Sequence, residues 1–426
     1  MLIRDPVHGD ISLNALETQV LDFPEMQRLR GIKQLGTASL VYPGCLHTRF
    51  DHSLGANTLA KRLIASVRWA GATVDSEQEQ VIGVAALLHD VTHVPFGHTL
   101  EDERCLFPRH DKGSRLAKLL NGALGERLAA LGMKDAVAAI VGYRPTAAVP
   151  PWAKQIVSST IDADLLDYLR RDSYFAGLAQ NYDDRVFRSF IVDNGQLAIN
   201  MTKHGMERPD TRSETVQLLR MRYFLTERVY YHHTKVAAGA MISKAVELAH
   251  DHGAVSEDEL LTLTDGKLFE RLLQTPTPAA PDPHIVRLVE RLEARALLKR
   301  GYVVSALTVP EADRRQLVAR FHESPSHRRE AEESLARALR CDPGEVILYC
   351  PALTVMKEAA ALVRTPRGLV RLNEVSEPAS EIAALEARYA ALWRLYVFVP
   401  EAVVGRTAAA MRDLVGYPSE YQVATP

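Results

Sequence analysis

Histidines and carboxylates, the side chains that commonly bind divalent metal ions, cluster early in this sequence. Seven of the fifteen histidines fall within the first 110 residues, at positions 8, 47, 52, 89, 93, 98 and 110. The strongest unit is Leu87-Leu88-His89-Asp90, where an apolar stretch ends in two ligand types that suit a divalent cation. Neighbouring helical side chains point about 100° apart. Both can therefore reach one ion only near a helix end.

Two further segments strengthen the metal interpretation. A lone His-Asp pair is weak evidence, since it recurs at His110-Asp111. However, residues 49–55 open another helix with a cation and His52 near its start, and residues 161–172 place repeated carboxylates in an apolar helix. A buried carboxylate is costly unless it is paired or binds a metal. Asp164 therefore needs a partner.

The elements that must position these side chains are mainly helices. Apolar residues recur every three or four positions across residues 14–143, which indicates amphipathic helices. Ser76 and Glu79 predict a capping box for a helix that runs into His89. Residues 91–108, rich in proline and glycine, predict a loop beside the His-Asp pair.

Beyond this loop the pattern changes along the chain. Helical blocks are predicted at 151–177 and 214–250, with a hairpin between them around Asn194-Gly195. Four prolines in residues 275–283 predict a linker or exposed loop. Helical and β-rich stretches then alternate. We expect a mainly α core over residues 1–252 and a smaller α+β region over 253–426, with a possible role in oligomerisation.

Bulk composition excludes several classes of protein. With 47% hydrophobic and 24% charged residues and a net charge of -2, the chain is typical of a globular protein and gives no support for nucleic-acid binding. No apolar run reaches the roughly 20 residues of a membrane span, so we expect a cytoplasmic protein. The dispersed cysteines predict neither a disulfide framework nor a structural zinc site. They are Cys45, Cys105, Cys341 and Cys350.

Taken together, these segments resemble the HD-domain phosphohydrolases, and more closely the branch that hydrolyses deoxynucleoside triphosphates (dNTPs). The resemblance covers about the first 250 residues in order, through segments 5–9, 23–36, 49–55, 89–98 and 161–177. It implies a mainly α fold, an HD-domain helical core with a smaller α+β C-terminal region. It also implies one divalent metal ion, which the ligand types leave open as Mn, Fe, Ni, Zn or Mg.

The resemblance assigns roles to residues around the ion. It implies metal ligation by four side chains: His52, His89, Asp90 and Asp164. His93 and His98 match histidines at the reacting phosphate, where an imidazole can protonate the leaving 5′ oxygen. Glu101 could orient His98 if that segment is helical. A second His-acid pair, His110 and Asp111, would complete this catalytic network.

The resemblance also implies a nucleotide substrate. Gln34, Tyr168 and Asp172 would lie near the sugar, and Arg49 would hold an α-phosphate. Arg222 matches a phosphate contact, while Tyr230 and His232 match the sugar edge. Tyr231 with His233 is an equally spaced choice there, and core packing is an equal alternative for these aromatics. A regulatory nucleotide site is echoed by three residues, Asp22, Gln27 and Arg30, which ordinary surface contacts explain equally well.

Three hypotheses follow for the function. The first is a hydrolase that cleaves a dNTP to deoxynucleoside and triphosphate. The second keeps the metal but cleaves another phosphoester, in a nucleoside monophosphate, a cyclic nucleotide or an oligonucleotide. It is favoured by Leu165, which stands where the triphosphohydrolases have a phosphate-binding lysine. The third is a catalytically silent nucleotide sensor. The resemblance further predicts a homo-oligomer, a dimer or tetramer.

Overall fold

A computed structural model describes residues 1–110, 114–142, 149–375 and 380–422, and α-helices carry most of the architecture. The helices are α1 Ala15–Leu21, α2 Pro24–Arg28, α3 Arg49–Trp69, α4 Ser76–Leu88, α5 His98–Asp102, α6 Ser114–Leu120, α7 Ala123–Ala130, α8 Lys134–Val141, α9 Pro151–Val157, α10 Ala163–Phe175, α11 Pro209–Leu225, α12 His233–Asp251, α13 Glu257–Leu260, α14 Asp265–Leu273, α15 Pro283–Glu293, α16 Glu311–Phe321, α17 Pro325–Leu339, α18 Glu381–Ala390 and α19 Val404–Val415. The predicted mainly α fold with a smaller α+β region is confirmed.

The strands form small sheets at the edges of the helical body. They are β1 Leu2–Asp5, β2 Gly9–Ser12, β3 Phe190–Asp193, β4 Gln196–Asn200, β5 Thr202–Lys203, β6 Met206–Glu207, β7 Pro276–Thr277, β8 Ala280–Pro281, β9 Lys299–Ser305, β10 Ile347–Tyr349, β11 Leu362–Thr365, β12 Gly368–Arg371 and β13 Arg394–Val399. The larger sheets have the orders β12-β11-β4-β3 and β10-β13-β9.

The helices that carry the predicted ligands pack on one another at the centre of the molecule. Helix α3 packs against both α4 and α10, and most of its apolar residues, including Leu59, Leu63 and Ile64, are fully buried. The Thr48 side chain caps α3 by accepting from the Asp51 N–H, and the Asp51 carboxylate accepts from the Thr48 N–H. This capping box fixes the start of α3 and therefore the direction in which His52 enters the core.

Helix α4 begins one residue earlier than the sequence pattern suggested. The predicted box of Ser76 and Glu79 is wrong, because Asp75 is the N-cap and Gln78 is its partner. Aspartate caps a helix as well as serine does, and both pairs have the same spacing. The other end of α4 is as predicted, with Leu88 the last helical residue and His89 at the C-cap.

Segments beyond residue 252 complete the sheet and the core. The hairpin predicted around Asn194-Gly195 is confirmed as β3 and β4, with Asp193 opposite Gln196. Strand β11 joins this hairpin in parallel, with Val363 opposite Ile199. Apolar residues from 356 to 392 pack in the same cluster as α3, α4 and α10. The domain boundary at residue 252 stays a prediction.

The α+β region is built on the antiparallel sheet β10-β13-β9, with α16, α17 and α19 packed around an apolar cluster. Residues 275–283, predicted as a linker or exposed loop, contain the exposed two-residue strands β7 and β8 and begin a helix at Pro283. The cysteines form no disulfide. Throughout the described ranges, no helix has the length and apolar character that a membrane span requires.

Candidate active site

The four predicted metal ligands come together where α3, α4 and α10 meet. His52 Nε2 lies 2.9 Å from Asp164 Oδ1, and His89 Nε2 lies 3.5 Å from Asp90 Oδ1. The two Nε2 atoms are 3.2 Å apart. Separations of about 3–3.5 Å are those expected between ligands that each lie about 2.1 Å from one ion.

The hydrogen bonds behind the two imidazoles show that this pocket fits a cation. His89 Nδ1 donates to the Ala86 carbonyl at 2.7 Å, and His52 Nδ1 contacts Asp167 Oδ2 at 2.7 Å. In their neutral forms, both rings therefore point Nε2 lone pairs at each other. Burial alone would lower the pKa of His52, but hydrogen bonds to Asp164 and Asp167 raise it to about 10. A proton or a metal ion relieves the repulsion, and two carboxylates beside the imidazoles favour the metal.

Asp167 forms a second layer behind His52. It is fully buried, and its Oδ1 contacts His8 Nε2 at 2.6 Å. Arg171 donates to both Asp167 oxygens, at 2.8 and 3.0 Å, and also to Asp5 Oδ2 at 2.8 Å. Burial alone would raise the pKa of Asp167, but Arg171 and the two histidines hold it well below its usual value. The ionised carboxylate fixes the orientation of the His52 ring, so that its Nε2 points toward His89 and Asp164.

The backbone after the His-Asp pair is held by two charged residues remote in sequence. Arg28 Nη2 donates to the Val91 and His93 carbonyls at 3.0 and 2.7 Å. Asp265 Oδ1 accepts the Phe96 N–H at 2.8 Å. Burial, followed by the neighbouring Arg49, lowers the pKa of Arg28 to about 10, so it stays charged at neutral pH. The loop is therefore positioned rigidly against the metal ligands.

Arg49 reaches the site beneath this loop. Its Nη1 donates to Asp90 Oδ2 at 2.8 Å, while its buried Nε has no hydrogen-bond partner. Gly97 has a φ of +53°, and a Cβ there would lie 2.4 Å from Arg49 Nη2. Glycine is needed at this position both for the left-handed backbone and for the close approach of the guanidinium.

The three histidines after Asp90 form a second group. The His93 and His110 rings stack with centroids 3.7 Å apart, and the His98 ring lies edge-on to both. Glu101 Oε2 lies 3.3 Å from His98 Nδ1 and 3.0 Å from His110 Nδ1. Burial, then Arg49 and His110, lower the pKa of His93 well below its usual value, so it is neutral.

Glu101 is the acceptor at the centre of this group. Burial alone would raise its pKa, but hydrogen bonds from His110 and His98 hold it far below the usual range. Arg115 also forms a buried ion pair with it. Among these histidines, His98 is the most accessible, with 48% of its side chain exposed. An exposed imidazole held by an ionised carboxylate can deliver a proton. Asp111 lies outside the described residues.

A cavity of about 1170 Å³ opens over both groups. Gln34, Arg49, Tyr168, Asp172, Arg222 and Tyr230 all line it. Asp164, Tyr168 and Asp172 follow one another at four-residue intervals along α10. These residues span about 12 Å of helix at 1.5 Å per residue. Helix α10 therefore runs along the cavity from the four predicted metal ligands to Asp172.

Asp172 lies at the far end of this row. The Tyr230 hydroxyl donates to its Oδ2 at 2.6 Å, and its Oδ1 lies 2.8 Å from His47 Nε2. Nearby, the buried Gln34 Oε1 has no hydrogen-bond partner. A hydroxyl-bearing ligand could donate to this oxygen and to Asp172.

His232 is separated from the other predicted substrate residues. The described cavity lining includes Tyr230 and Tyr231 but not His232, which caps α12 and stacks on His233 with centroids 4.5 Å apart. A π-helical turn over Thr226–Tyr230 joins α11 to α12. Such a turn inserts an extra residue and changes which side chains face the cavity.

The predicted regulatory residues lie at the surface around α2. Asp22 is exposed at the C-cap of α1. Arg30 Nε donates to Gln27 Oε1 at 2.9 Å, and its guanidinium lies 3.6 Å from the Phe50 ring centroid. Each has an ordinary local contact, and nucleotide regulation stays a prediction.

Two protein-family models match this chain and establish the family to which it belongs. The HD domain model matches residues 49–172, which contain all four predicted metal ligands, and the model of an HD associated region matches residues 213–425. The chain belongs to the HD-domain phosphohydrolase family. An HD-domain phosphohydrolase is a hydrolase, and the cluster of His52, His89 and Asp90 can hold a metal ion.

Several relatives of this HD-domain chain are known. A protein of Methanocaldococcus jannaschii is 28% identical over 94% of this chain and 79% of its own length. The deoxynucleoside triphosphate triphosphohydrolase SAMHD1 of Bos taurus is 27% identical over 70% of this chain and 58% of its own length. The chain thus matches little more than half of that enzyme.

A solved structure supports the HD-domain fold along nearly the whole chain. A phosphohydrolase from Bacteroides thetaiotaomicron has a TM-score of 0.72, covers 94% of this chain and all of its own, and is 23% identical. At this identity, the likeness establishes the fold.

Sequence reasoning missed several residues of the HD site. Asp167 and His8 lay in segments that carried the family resemblance, but their contact joins positions 159 residues apart. Glu358 reaches the cavity from the 3-10 helix Lys357–Ala360, in a region with no recognised motif. The sequence did offer one signal for Asp167, because it lies three residues after Asp164 and therefore on the same face of the helix. No local signal pointed to Glu358.

Proposed function

We propose that this protein hydrolyses dNTPs to a deoxynucleoside and triphosphate, with one divalent cation held by His52, His89, Asp90 and Asp164. The observation that carries the proposal is the row from Asp164 to Asp172 along α10. The row supports the proposal because Asp164, beside the imidazole of His52, and Asp172, which accepts from the Tyr230 hydroxyl, line one cavity about 12 Å apart at 1.5 Å per residue. The match to a dNTP triphosphohydrolase over 70% of the chain supports the same substrate class.

The protein groups around the cation have distinct roles in the proposed reaction. A bound divalent ion would polarise a phosphoryl oxygen and lower the pKa of water. Arg49, whose Nε has no partner, would donate to the α-phosphate. His98 would protonate the leaving 5′ oxygen, with its ring oriented by Glu101 at 3.3 Å. His93 would stay neutral and hold Asp90.

The far end of the cavity would select a deoxyribose. Asp172 would accept a hydrogen bond from a 3′-hydroxyl, and Gln34 would provide a second polar contact. The Tyr230 ring, fixed by its hydroxyl on Asp172 at 2.6 Å, would leave no room for a 2′-hydroxyl. His232 is outside the cavity lining, so we propose Tyr231 as the second aromatic residue of this wall.

A second candidate is hydrolysis of another phosphoester by the same centre. Leu165 is 4% exposed and stands where a phosphate-binding lysine is expected from the resemblance. A substrate with one phosphate would need no such lysine. A nucleoside monophosphate is therefore the main alternative substrate.

Product analysis tests the proposal. The protein is incubated with Mn²⁺ and each dNTP, NTP or dNMP, and the products are separated by anion exchange. We expect intact triphosphate and a deoxynucleoside from dNTPs, with little turnover of NTPs. In Tyr230→Ala, discrimination against NTPs should fall. Release of orthophosphate from monophosphates would favour the second candidate, and absence of turnover would favour a sensor.

Assembly and location are also proposals. The resemblance to oligomeric phosphohydrolases supports a homo-oligomer, and the metabolic role of a nucleotide hydrolase supports a cytoplasmic location. Light scattering on the purified protein, with and without nucleotide, should give a multiple of the chain mass. A monomer mass under both conditions would contradict the homo-oligomer.

A further inference from the structure

Arg222 lines the cavity beside the middle of α10. Its guanidinium carbon lies 5.3 Å from the ring centroids of both Tyr168 and Tyr230. Tyr168 lies one helical turn beyond Asp164, about 6 Å along the axis. Arg222 thus lies beside the cavity between Asp164 and Asp172. The phosphate contact that the resemblance assigns to Arg222 would therefore be with a different phosphate from the one that Arg49 would hold.

A carboxylate from the C-terminal half already faces this guanidinium. Glu358 Oε1 lies 3.1 Å from Arg222 Nε, and both side chains are largely buried, with 11% and 24% exposed. The two groups form an ion pair, but the Nε–H of Arg222 does not point at the carboxylate, and Arg222 Nε has no hydrogen-bond partner. Because this Nε atom is itself buried, an anion can reach its N–H only if a neighbouring group such as the Glu358 carboxylate moves.

The charged residues that line the cavity determine how strongly the Arg222–Glu358 pair affects phosphate binding. Among the described lining residues, acidic side chains outnumber basic ones. The acidic ones are Asp90, Glu101, Asp102, Glu103, Asp162, Asp164, Asp172 and Glu358, and the basic ones are Arg49, Arg109, Arg222, Lys235 and Lys357. Burial raises the pKa of Glu103 to about 8 and that of Asp162 well above its usual value, so these two are largely uncharged at neutral pH. Leu165 adds no charge. A polyphosphate brings several negative charges, so each cation not neutralised by a carboxylate affects its binding strongly.

We propose that Glu358 sets how many phosphates the site accepts, because it competes with substrate phosphate for Arg222. This inference rests on the proposed nucleotide hydrolase function. A substrate with one phosphate leaves the Arg222–Glu358 pair intact. A triphosphate must displace the carboxylate and meets its repulsion, so Glu358 lowers affinity for the longer chain only.

Titration with inorganic phosphates tests this role without requiring turnover. Tripolyphosphate and orthophosphate are each titrated calorimetrically into the Mn²⁺-loaded protein and into Glu358→Gln. We expect Glu358→Gln to bind tripolyphosphate about tenfold more tightly, as for one freed charge-assisted contact. Orthophosphate affinity should be unchanged. Equal effects on both anions, or no effect on tripolyphosphate, would overturn the proposal.

The chain offers a matched control on the same helix. Arg220 Nε donates to Glu381 Oε1 at 2.6 Å, and both side chains are about half exposed and outside the cavity lining. Glu381→Gln should leave both anion affinities unchanged. A gain like that of Glu358→Gln would show a general charge effect and reject the specific role.

Kinetics separates this inference from the proposed function. In Glu358→Gln, kcat/KM for a dNTP should rise relative to that for the dNMP. If neither protein turns over any nucleotide, the proposed function fails, while the tripolyphosphate titration still decides the role of Glu358. Glu358→Asp withdraws the carboxylate by one methylene and should give a smaller gain. It provides the same test if the glutamine variant does not fold.

Discussion

At the residue scale, the chemistry depends on the imidazoles of His52 and His89, whose Nδ1 atoms already have hydrogen-bond partners. His89 Nδ1 binds a backbone carbonyl and His52 Nδ1 binds Asp167, so both Nε2 atoms are directed at one point. The family resemblance named the four side chains that the structure brings together here, and their role as metal ligands stays a prediction. The resemblance could not predict the assignment of Asp167 to His52, because their contact depends on how α3 and α10 pack.

Substitutions should separate metal binding from proton transfer. Asp90→Ala should lose both metal and hydrolysis, since a ligand is removed and Arg49 loses its 2.8 Å partner. His98→Ala should keep the metal but lower turnover by roughly 10²-fold, as expected for loss of a general acid. Metal content by mass spectrometry and initial rates measure both effects.

The control for these variants is His204→Ala, at an exposed position between β5 and β6. It should retain wild-type metal content and rate. Full activity of metal-stripped Asp90→Ala would refute the metal-dependent mechanism. Loss of metal in His98→Ala would assign His98 to the coordination sphere instead.

At the element scale, the site depends on close packing of helix on helix. A Cβ at Gly55 on α3 would lie 1.9 Å from Asp167 Oδ1 and 2.4 Å from Arg171 Nη2 on α10. The segments forming these helices were predictable from apolar spacing. The distance between α3 and α10 was not predictable, because it depends on the absence of a side chain at Gly55. The π turn over Thr226–Tyr230 was equally hidden, and it directly precedes the segment in which His232 lies outside the described cavity lining.

We expect Gly55→Ala to destabilise the fold by about 3 kcal/mol or more, because the buried Asp167–Arg171 pair cannot move aside easily. Chemical denaturation of the metal-free protein measures this loss. Gly405→Ala, on α19 with nothing within 4 Å of the added Cβ, is the control and should be neutral or slightly stabilising. Equal stability of both variants would contradict the close packing of α3 and α10.

At the scale of the whole molecule, the C-terminal half closes the cavity and is locked to the core by buried charges. Arg104 Nη1 donates to Glu332 Oε1 on α17 at 2.9 Å, and Lys244 Nζ on α12 donates to Glu332 Oε2 at 2.8 Å. Glu332 also accepts the Leu348 N–H at 2.9 Å. Such a network spans more than 200 residues and leaves no periodic pattern in the sequence, so it could not be predicted.

Glu332 should make stability depend on pH. Burial alone would raise its pKa, but Arg104 and Lys244 outweigh this and lower the pKa from 4.5 to about 2. A carboxyl group with a lowered folded-state pKa stabilises the protein above its unfolded value, and this contribution is lost as pH falls from 4.5 toward 2. Thermal unfolding across this range should show the decline.

Glu332→Gln should weaken this acid dependence and lower stability at pH 7 by about 3 kcal/mol or more, because Arg104 keeps a buried charge with one fewer partner. Glu333→Gln is the matched control, because Glu333 is the neighbouring residue and 61% of its side chain is exposed. It should leave the acid dependence and the stability at pH 7 unchanged. The same acid dependence in wild type and Glu332→Gln would show that other carboxylates control it.

Hydrolysis in ¹⁸O-labelled water tests the central mechanism most directly. The protein is incubated with Mn²⁺ and a dNTP, and the products are analysed by mass spectrometry. Attack of water on the α-phosphorus, with His98 protonating the 5′ oxygen, predicts unlabelled deoxynucleoside and triphosphate with one ¹⁸O atom. Label in the deoxynucleoside, or labelled orthophosphate in place of triphosphate, would contradict this mechanism.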